Sequence, residues 1–575
     1  MAMSKKTSAF RPGEQGTGAN GQFAHPQLLD HSERLQEEFY QVGQNAWCLV
    51  GNGLSNQTFV RGPQGIIAID TGECHEEMQA AIAWLRQETD EPIVACIYTH
   101  FHYVAGTTAI VEERGDNNFP IYGHAGIEAN LDRFGGEVGP RGSRGMVHQF
   151  AMMLPDSGPD ALVNIGLGRF YRNPSHAPFT PGHIAATDVF EEEYQTEIAG
   201  LDVVFYPAPS DATDSVNIWF PELDLAINNI FWPTLFNIFA IRGEEYRDPR
   251  VLLEGLDSLC ELGAEHQICA HGPPLSGKAD IKSSILRYRD SIQFIWDQTV
   301  RSANQGLSLD DAVARIELPD VYEEDFRTQQ LYGVVEHHIR QVYTGLFGWF
   351  DEDVSKLFPL PRAERSKKML EAFGGRDAAR GIFDRALSNE DFRWALEVGT
   401  YLVFSLSESD VADAEEDKLR LASALRAVGY CSSASNVRNW CLTQALELDG
   451  SIDLSRFRIH RFREQEVMLG AAARWVPILR VLLDPEKIGA LEGSIGFDFD
   501  DGSSRGLIIR NQVAVSSPSE QCDIRLFLSK EKWAKLLGGK LALSELLGEM
   551  EEISIQEKHQ IIDMLSAFDL KTLQT

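Results

Sequence analysis

Two histidines separated by one residue follow a short apolar run about 100 residues into the chain. The run at 93–97 predicts a buried strand that ends at Thr99, with His100 and His102 directly after it. Because both imidazoles leave the carboxyl end of one strand, they can point at the same metal ion. Imidazole suits zinc, iron and manganese, so the spacing indicates a divalent-metal site. An isolated pair of this kind is more often ordinary polar sequence, and the surrounding elements decide its meaning.

Those surrounding elements predict a fold with two sheets. Three strand patterns, a helix pattern and the strand before the histidine pair follow one another as β-β-β-α-β. Later strand patterns flank a loop that carries Asp211, and another ends at His271. Candidate ligands therefore lie at strand ends, which fits an αββα sandwich. The predicted elements are 45–50, 57–61, 65–70, 77–87, 93–98, 201–206, 216–220 and 223–227.

The second half of the chain changes character twice. Helical periodicity dominates from about residue 285 to about 448 and predicts antiparallel helical hairpins. From about Arg456, strand patterns alternate with amphipathic helices, and Asp501-Gly502 fits a hairpin turn. We therefore expect an α/β chain in which an all-α part and an α+β part follow the sandwich.

Length and charge limit the functional classes. The 575 residues are enough for about three or four domains. The formal net charge of -33 repels phosphate backbones and anionic membrane surfaces, so we expect no nucleic-acid partner. No apolar run approaches the roughly 18 residues that cross a bilayer, so we expect no membrane span.

The cysteines and the first residues predict a cytoplasmic protein. Eight cysteines are scattered without CxxC spacing, which is typical of reduced thiols. The beginning of the chain is polar and glycine-rich and lacks a secretory apolar segment. Residues 1–30 are therefore predicted to be a flexible N-terminal tail.

Widely separated stretches of the chain resemble one known family. Together they are similar to the alkyl sulfatase branch of the metallo-β-lactamase superfamily, from about residue 30 to the last residue. The stretches are 139–144, 216–222, 241–243, 247–249, 331–333, 348–351, 358–361 and 392–395.

The resemblance implies three parts with different tasks. Residues 31–300 correspond to a metallo-β-lactamase αββα domain with the catalytic site, and residues 301–450 to a helical domain that builds a homodimer. Residues 456–575 correspond to a domain like sterol carrier protein 2, whose apolar groove suits alkyl chains. The substrate that this family implies is a small amphiphilic ester, an alkyl sulfate, which is hydrolysed at a two-zinc centre.

The family's metal ligands are only partly present. By resemblance, His100 and His102 match two ligands of the first zinc, Asp211 replaces a glutamate, and His271 matches a histidine of the second site. An Asp-His step expected between Tyr103 and Val104 is missing. The bridging glutamate is replaced by Asn228 or Asn229, which carry no charge.

This loss of charge predicts one metal ion per chain. Two divalent cations held by neutral imidazoles and a single aspartate would be poorly neutralised. We expect one ion on His100, His102 and Asp211, with His271 as a fourth ligand or a nearby acid/base. Zinc is the first expectation for its identity, with iron and manganese as alternatives.

The resemblance also suggests catalytic roles. A cation must lie over the sulfonate oxygens, and Arg242 is the first candidate, with Arg141 and Arg144 as second choices. Tyr103 or His271 could give a proton to the leaving alkoxide. By resemblance alone, Asn217 orients the ester.

Other interpretations remain open at this point. Two histidines and one aspartate also form the facial triad of non-haem iron enzymes. The scaffold could instead persist as a non-catalytic dimeric binding module. Asp70, after the third strand, is either an orienting residue or a strand-end cap. Cys74 and His75 could rescue a second metal site, although we expect them to be exposed loop residues.

Overall fold

The computed structural model describes residues 13–134, 136–406 and 411–574, which fall into two compact units. The larger unit comprises the described residues up to 131 together with 145–453. The smaller unit comprises the described part of 132–144 and the residues from 454 onward.

The described residues of the larger unit form a short two-stranded ribbon, which is followed along the chain by a seven-stranded sheet. The ribbon is β1 (Gly16–Thr17) and β2 (Phe23–Ala24). The sheet consists, in spatial and chain order, of β3 (Glu38–Val42), β4 (Ala46–Val50), β5 (Gln57–Gly62), β6 (Gly65–Ile69), β7 (Ile93–Ile97), β8 (Ile121–His124) and β9 (Asp188–Phe190). Strands β3 to β6 are antiparallel neighbours, and β6 to β9 run parallel.

A second sheet of six strands is also formed by the described part of this unit. Its strands, in order, are β10 (Tyr194–Ile198), β11 (Leu201–Pro207), β12 (Val216–Phe220), β13 (Leu225–Asn228), β14 (His266–Cys269) and β15 (Leu275–Ser276). The pair β13 and β14 is parallel, and the other neighbours are antiparallel.

One hydrophobic core joins the two sheets. Ile67 and Ile97 of the first sheet belong to the same buried cluster as Val203, Phe205 and Ile218 of the second. Each fully buried aliphatic side chain of this kind contributes about 1.5–3 kcal/mol. Strand β7 is a central parallel strand and is buried on both faces, which explains why its sequence is a continuous run of apolar residues.

Helices cover the outer faces of the sheets and continue beyond them. The helix His75–Glu88 (α2) contacts β4 and β5, and the helix Lys278–Asn304 (α7) contacts β14 and β15. None of the helices in the described ranges combines the length and apolarity needed to cross a bilayer. The helices up to residue 448 are α1 (Pro26–Arg34), α2 (His75–Glu88), α3 (Thr107–Arg114), α4 (Ile127–Phe134), α5 (Gly139–Gln149), α6 (Pro249–Glu261), α7 (Lys278–Asn304), α8 (Leu309–Arg315), α9 (Val335–Phe347), α10 (Arg362–Phe373), α11 (Arg376–Ser388), α12 (Phe392–Phe404), α13 (Val411–Cys431) and α14 (Ser435–Leu448).

The smaller unit is an α+β structure with its own core. Its four-stranded sheet packs around the buried Trp533, and the strands lie side by side in the order Val513–Ser517 (β18), Ser504–Arg510 (β17), Gly493–Phe499 (β16) and Ile524–Leu528 (β19). Its elements are α15 (Glu464–Val467), α16 (Pro485–Ile488), β16 (Gly493–Phe499), β17 (Ser504–Arg510), β18 (Val513–Ser517), β19 (Ile524–Leu528), α17 (Lys530–Leu537), α18 (Leu543–Gly548) and α19 (Ile555–Leu565).

Two predicted boundaries need correction. The flexible tail 1–30 is wrong for its second half, because this part contains β1, β2 and the start of α1, with Leu28 fully buried. Residues 1–12 lie outside the described part of the chain. The boundary at residue 300 falls inside α7, which continues to Asn304.

Candidate metal centre

The candidate ligands lie where strands of both sheets end. His100 and His102 follow β7, and Asp211 lies on the loop between β11 and β12. The backbone N–H of Val216, the first residue of β12, donates to the carbonyl of Thr99 at 3.1 Å. This bond ties the start of β12 to the end of β7, so the loop that carries Asp211 is held beside the histidine pair.

His100, His102 and Asp211 form a compact cluster of donor atoms. His100 Nε2 lies 3.1 Å from His102 Nδ1, which in turn lies 3.3 Å from Asp211 Oδ2. All three donor atoms lie within 4.8 Å of one another, a spacing that suits one ion. The fold thus brings together the three residues predicted as metal ligands.

Asp70 and Thr99 fix the orientation of the His100 ring. The backbone N–H and the hydroxyl of Thr99 donate to the two oxygens of Asp70 at 2.8 and 2.7 Å. Because the hydroxyl proton is used there, His100 Nδ1, 2.8 Å from Thr99 Oγ1, is the donor in that contact. The Nε2 lone pair of His100 therefore faces the cluster, as a metal ligand requires. Asp70 is therefore an orienting residue, which is one of the two roles predicted for it, rather than only a strand-end cap.

Burial and neighbouring charges set the protonation of the ligands. Burial lowers the pKa of His100 well below its usual value, so the ring is neutral. Burial alone would raise the pKa of Asp211, but the nearby His102 outweighs this and holds it well below its usual range. A neutral imidazole and an ionised carboxylate are the forms that bind a cation.

Asn229, rather than Asn228, is the asparagine beside the ligands. Its Nδ2 donates to Asp211 Oδ1 at 2.7 Å and also contacts Ser210 and Ser215. Asn228 instead uses its side-chain oxygen to accept the backbone N–H groups that follow β13. Asn229 thus presents a donor to the aspartate and holds that carboxylate in place.

His271 is not in the donor cluster, which corrects its prediction as a metal ligand. Its Nε2 lies 3.2 Å from Tyr103 Oη, and its Nδ1 lies 3.1 Å from the carbonyl of Leu54. Burial lowers the pKa of His271 to about 4 and raises that of Tyr103 well above its usual value. Both groups are neutral, and with Nδ1–H donating to Leu54, the Tyr103 hydroxyl donates to Nε2.

Arg242 lies in a buried arginine–glutamate–arginine triad. Its guanidinium and that of Arg247 both donate to the carboxylate of Glu244. Glu244 Oε1 also lies 4.0 Å from His102 Nε2, which places the triad beside the donor cluster. Two guanidinium groups share one carboxylate, so the triad carries one net positive charge.

Gly145 is required for the position of Arg242. A side chain added at residue 145 would collide with the carbonyl and Cα of Arg242. The amide of Gln149 in α5 accepts the Arg242 backbone N–H at 3.1 Å. The end of α5 therefore packs directly against the arginine backbone, and only glycine permits this approach.

Asn217 does not take the place expected for a substrate contact, and this prediction needs correction. Val216, Ile218 and Phe220 of β12 point into the core between the sheets. Since side chains alternate along a strand, Asn217 points the other way, and its Nδ2 donates to the carbonyl of Gly255 in α6 at 3.0 Å. It fastens α6 to the sheet.

The second-choice arginines belong to the smaller unit. Arg141 and Arg144 lie in the segment 132–144, and Arg144 Nη1 donates to the carbonyl of Phe457 within that unit at 3.0 Å. Burial lowers the pKa of Arg141.

Several charged or polar residues that lie around the centre were not identified from the sequence. Glu244 is a carboxylate between two arginines, and Tyr332 accepts a hydrogen bond from Gln149 Nε2 at 2.6 Å. Glu73 interacts electrostatically with Tyr103 and Arg242. The sequence signal that could have indicated the triad is an acidic residue between two arginines, since Glu244 lies within three residues of both Arg242 and Arg247.

Cys74 and His75 differ from the exposed loop residues that we expected. Cys74 is buried and precedes α2 as its N-cap residue. His75 is half-buried, with Nδ1 2.9 Å from Thr108 Oγ1 and Nε2 2.9 Å from Glu112. The Asp70 loop lies against the histidine turn, since Thr71 donates its backbone N–H to the carbonyl of Tyr103. This close packing buries the region.

Known proteins resemble this chain over most of its length. Residues 308–451 match a family model described as alkyl sulfatase dimerisation. A linear primary-alkylsulfatase from a Pseudomonas strain is 32% identical over 517 residues, which cover 86% of this chain and 95% of that protein. An alkyl/aryl-sulfatase from Saccharomyces cerevisiae is 27% identical over 92% of this chain and 82% of its own length.

A solved structure has the same fold. It is the stereoselective inverting sec-alkylsulfatase Pisa1 from Pseudomonas sp., with a TM-score of 0.81 and 23% sequence identity. The superposition covers 94% of this chain and 89% of that structure.

The fold and the site together define the class of protein. Two stacked sheets between helices, with histidines at the end of a strand, form the αββα sandwich of an alkylsulfatase-like hydrolase. The chain belongs to the alkylsulfatase family, as its 32% identity to the Pseudomonas linear primary-alkylsulfatase over nearly that protein's whole length shows. This confirms the predicted family, the αββα sandwich with a helical part after it, and the assignment as an enzyme.

Proposed function

We propose that this enzyme hydrolyses a sulfate monoester of an apolar alcohol, with one divalent metal ion held by His100, His102 and Asp211. The observation that carries this proposal is the convergence of two imidazoles, of which Thr99 orients that of His100, and one ionised carboxylate beside a cationic triad. The names of the relatives supply the substrate class, since these are alkylsulfatases. Family membership favours a hydrolase over the iron-enzyme and binding-module interpretations.

The donor set fits a single divalent ion. Two neutral nitrogens and one carboxylate offer one negative charge, which is far from neutralising two dications. Asn229 turns its donor group toward Asp211 and cannot bridge two ions as a carboxylate would. When bound, the ion supplies Lewis acidity and makes water a nucleophile near neutral pH.

The triad of Arg242, Glu244 and Arg247 suits an anionic substrate. Its one net positive charge is buried, so it is screened less than a surface charge. In our proposal Arg242 binds the sulfonate oxygens, since a guanidinium can donate two parallel hydrogen bonds to such a group. Glu244 holds the guanidinium in place and keeps its pKa above the usual value, against the effect of burial.

Tyr103 is the proposed proton donor for the leaving alkoxide. Of the two candidates, Tyr103 carries a hydroxyl proton that it donates to His271 Nε2 and that can turn to a bound alkoxide, whereas the His271 proton lies on Nδ1 and faces the carbonyl of Leu54. His271 is then a positioning residue, because its Nε2 accepts the Tyr103 hydroxyl. The proton can pass from Tyr103 to the alkoxide, and solvent returns it after the alcohol leaves.

The test measures sulfate release from primary and secondary alkyl sulfates of graded chain length. We expect activity in the metal-loaded enzyme, no activity above background for His100→Ala, and near-normal activity for His183→Gln. The control residue is a histidine that pairs with the exposed Glu128. No sulfate release from any alkyl sulfate, or full activity of His100→Ala, would refute the proposal.

We also propose that the enzyme is a homodimer. The match of 308–451 to a dimerisation model supports this, as does a run of exposed apolar side chains in the same region. Solitary exposed apolar residues are ordinary, but a run of them marks an interaction surface. Members of this run are Phe347, Trp349, Val354, Leu357, Phe358 and Leu360.

Light scattering after size exclusion tests the dimer. We expect Trp349→Asp with Phe358→Asp to give the mass of one chain, since the charges would be buried at the interface. Leu286→Asp, at an exposed apolar residue of α7 outside 308–451, should retain the dimer mass. A monomeric wild-type protein, or a dimer that persists in the double variant, would contradict this assignment.

A further inference from the structure

A second set of donor atoms lies in the larger unit, outside the histidine pair. Cys74, Glu77 and His176 each place one possible ligand atom within 4.8 Å of the others. Their exposed fractions are 2%, 1% and 5%, so the cluster is closed to solvent. We propose that these residues bind a second divalent cation, with zinc as the best match, in a structural site separate from the hydrolytic centre.

The start of α2 supplies two of the ligands. Cys74 is the N-cap residue and Glu77 follows in the first turn, so both side chains emerge at the same helix end. Gln57 Nε2 donates to Glu77 Oε1 at 2.8 Å, and the Glu73 backbone N–H donates to Oε2 at 3.2 Å. Each carboxylate oxygen keeps a second lone pair, and the hydrogen bonds set the direction in which the carboxylate points.

The loop with the third ligand is fastened to the same helix end. Thr180 donates its backbone N–H and hydroxyl to the Glu76 carboxylate at 2.8 and 2.6 Å, and accepts the His75 backbone N–H at 2.9 Å. On the other side of His176, Asn173 Nδ2 donates to the carbonyl of Asn52 at 3.1 Å. Hydrogen bonds before and after His176 therefore hold it against α2.

The same network joins the two sides of the cluster. Asn52 Nδ2 donates to the Glu77 carbonyl at 2.9 Å and to Gln57 Oε1 at 2.8 Å. Asn52 is thus bonded to the helix with Glu77 and to the loop with His176. The donor atoms are brought together by a built framework rather than by loose side chains.

His176 gives an independent indication of a ligand. Its Nδ1 is buried and has no hydrogen-bond partner among the described residues. A buried polar nitrogen without a hydrogen-bond partner is unfavourable, and ligation of a cation would satisfy it. Burial also lowers the pKa of His176, which leaves the ring neutral and able to ligate.

The charge and softness of the donors fit zinc. A thiolate, a carboxylate and a neutral imidazole carry two negative charges, which balance a dication, and all three are zinc ligands. Glu73 and Glu76 add negative charge beside these ligands, and Arg172 offsets only part of it at Glu77, so a cation among the donor atoms would be favourable. Binding displaces the thiol proton, which faces Glu76, and any proton on Glu77, and both go to solvent.

Such a site would brace the hydrolytic centre from outside. Thr71 lies three residues before Cys74 and donates to the carbonyl of Tyr103, and Gly106 packs so closely on the carbonyls of Thr71 and Cys74 that a side chain there would collide. A cation on Cys74 and His176 would therefore fix the loop that supports the histidine turn, without touching substrate.

Metal content and cobalt absorption of the full-length enzyme test the proposal. Protein made with zinc and purified without chelator should contain two ions per chain. Cys74→Ala and His176→Ala should each contain one, and so should Asp211→Ala, which loses the other ion. Cys441→Ala is the matched control, since burial raises the pKa of that thiol to about 12, as it does for Cys74, and it should keep two.

Cobalt in place of zinc identifies the sulfur directly. The hydrolytic centre has no sulfur ligand, so a thiolate-to-cobalt charge-transfer band in the near ultraviolet reports on the second site alone. The band should be absent from Cys74→Ala and retained in Asp211→Ala and Cys441→Ala. We expect Cys74→Ala to retain its turnover rate and to lose several degrees of Tm.

Two results would overturn the proposal. One is a wild-type protein without the charge-transfer band, whatever its activity. The other is a metal content that is the same in Cys74→Ala, His176→Ala and the wild type. Neither result affects the proposed hydrolysis, which is tested separately by sulfate release from the wild type, His100→Ala and Asp211→Ala.

Discussion

The two donor clusters of the larger unit differ in what surrounds them. His100, His102 and Asp211 adjoin a triad with a net positive charge, and His102 and Asp211 are only partly buried. Cys74, Glu77 and His176 are almost fully buried and have two carboxylates, Glu73 and Glu76, and one guanidinium, Arg172, as charged neighbours. A catalytic metal needs an open position and a charge that attracts substrate, whereas a structural metal needs closure. The burial of the two clusters therefore differs in the sense that the proposed catalytic and structural roles require.

The largest expected effect separates the clusters by their carboxylates. Asp211→Asn should reduce sulfate release to background, because the cluster loses its one negative charge and an ionised ligand. Glu77→Gln should leave the rate within about twofold and lower the metal content by one ion, because the amide is uncharged and its single oxygen can accept only one of the two hydrogen bonds from Gln57 and Glu73. The measurements are initial rates with metal analysis on the same samples. Equal loss of activity in both variants would remove the distinction.

The cationic triad predicts the second effect. Arg242→Lys should lower kcat/KM by about 10²-fold, because a lysine cannot donate two parallel hydrogen bonds to a sulfonate while paired with Glu244. Arg250→Lys is the matched control, since Arg250 pairs with Asp248 at the surface. Metal content should not change in either protein. An unchanged kcat/KM in Arg242→Lys would assign sulfonate binding to another group.

Paired threonine variants give a smaller effect on each site. Thr99→Val removes the acceptor for His100 Nδ1–H and should weaken metal binding there by about 10- to 100-fold, with activity falling at limiting metal. Thr180→Val removes one hydroxyl from the frame of the other cluster and should leave activity intact. Competition with a chromophoric chelator measures both affinities. A loss of activity confined to Thr180→Val would reverse the assignment.

The smallest effect comes from the packing behind Arg242. Gly145→Ala forces α5 away from the arginine backbone and should lower kcat/KM by about tenfold, because the guanidinium is kept but displaced. In Gly142→Ala, in the same helix, the added methyl meets no heavy atom of the described chain within 4 Å, so the rate should be unchanged. Equal rates for both variants would show that the position of Arg242 tolerates this shift.

The sequence allows most of the fold to be predicted because the patterns are local. The apolar run before Thr99 and the strand at 216–220 are long enough to fix their type, and the helix 392–404 is found where its periodicity predicts it. Helix α19 was missed, although Ser554 and Glu557 form a capping box at its start. The edge strands β3 and β10 were missed because their alternating polar residues resemble loop sequence.

The site was less accessible to prediction because it depends on which side chains meet in space. His100, His102 and Asp211 could be found from motif and resemblance, and the fold brings them together. The role of Asn217 could not be predicted, because the sequence does not show which face of the sheet this strand residue points to. The register of β12 in the structure was needed to decide it. His176 lies about 100 residues from Cys74, and no spacing rule connects them. Their proximity follows from the hydrogen bonds of Asn52 and Thr180.

A titration of metal into the metal-free Cys74→Ala protein tests the mononuclear centre most directly. This variant lacks the proposed structural site, so added metal reports on the hydrolytic centre alone. We predict that sulfate release rises linearly and saturates at one ion per chain. Saturation only at two ions per chain would show that a second ion takes part in the hydrolysis and would contradict a centre made of His100, His102 and Asp211 alone.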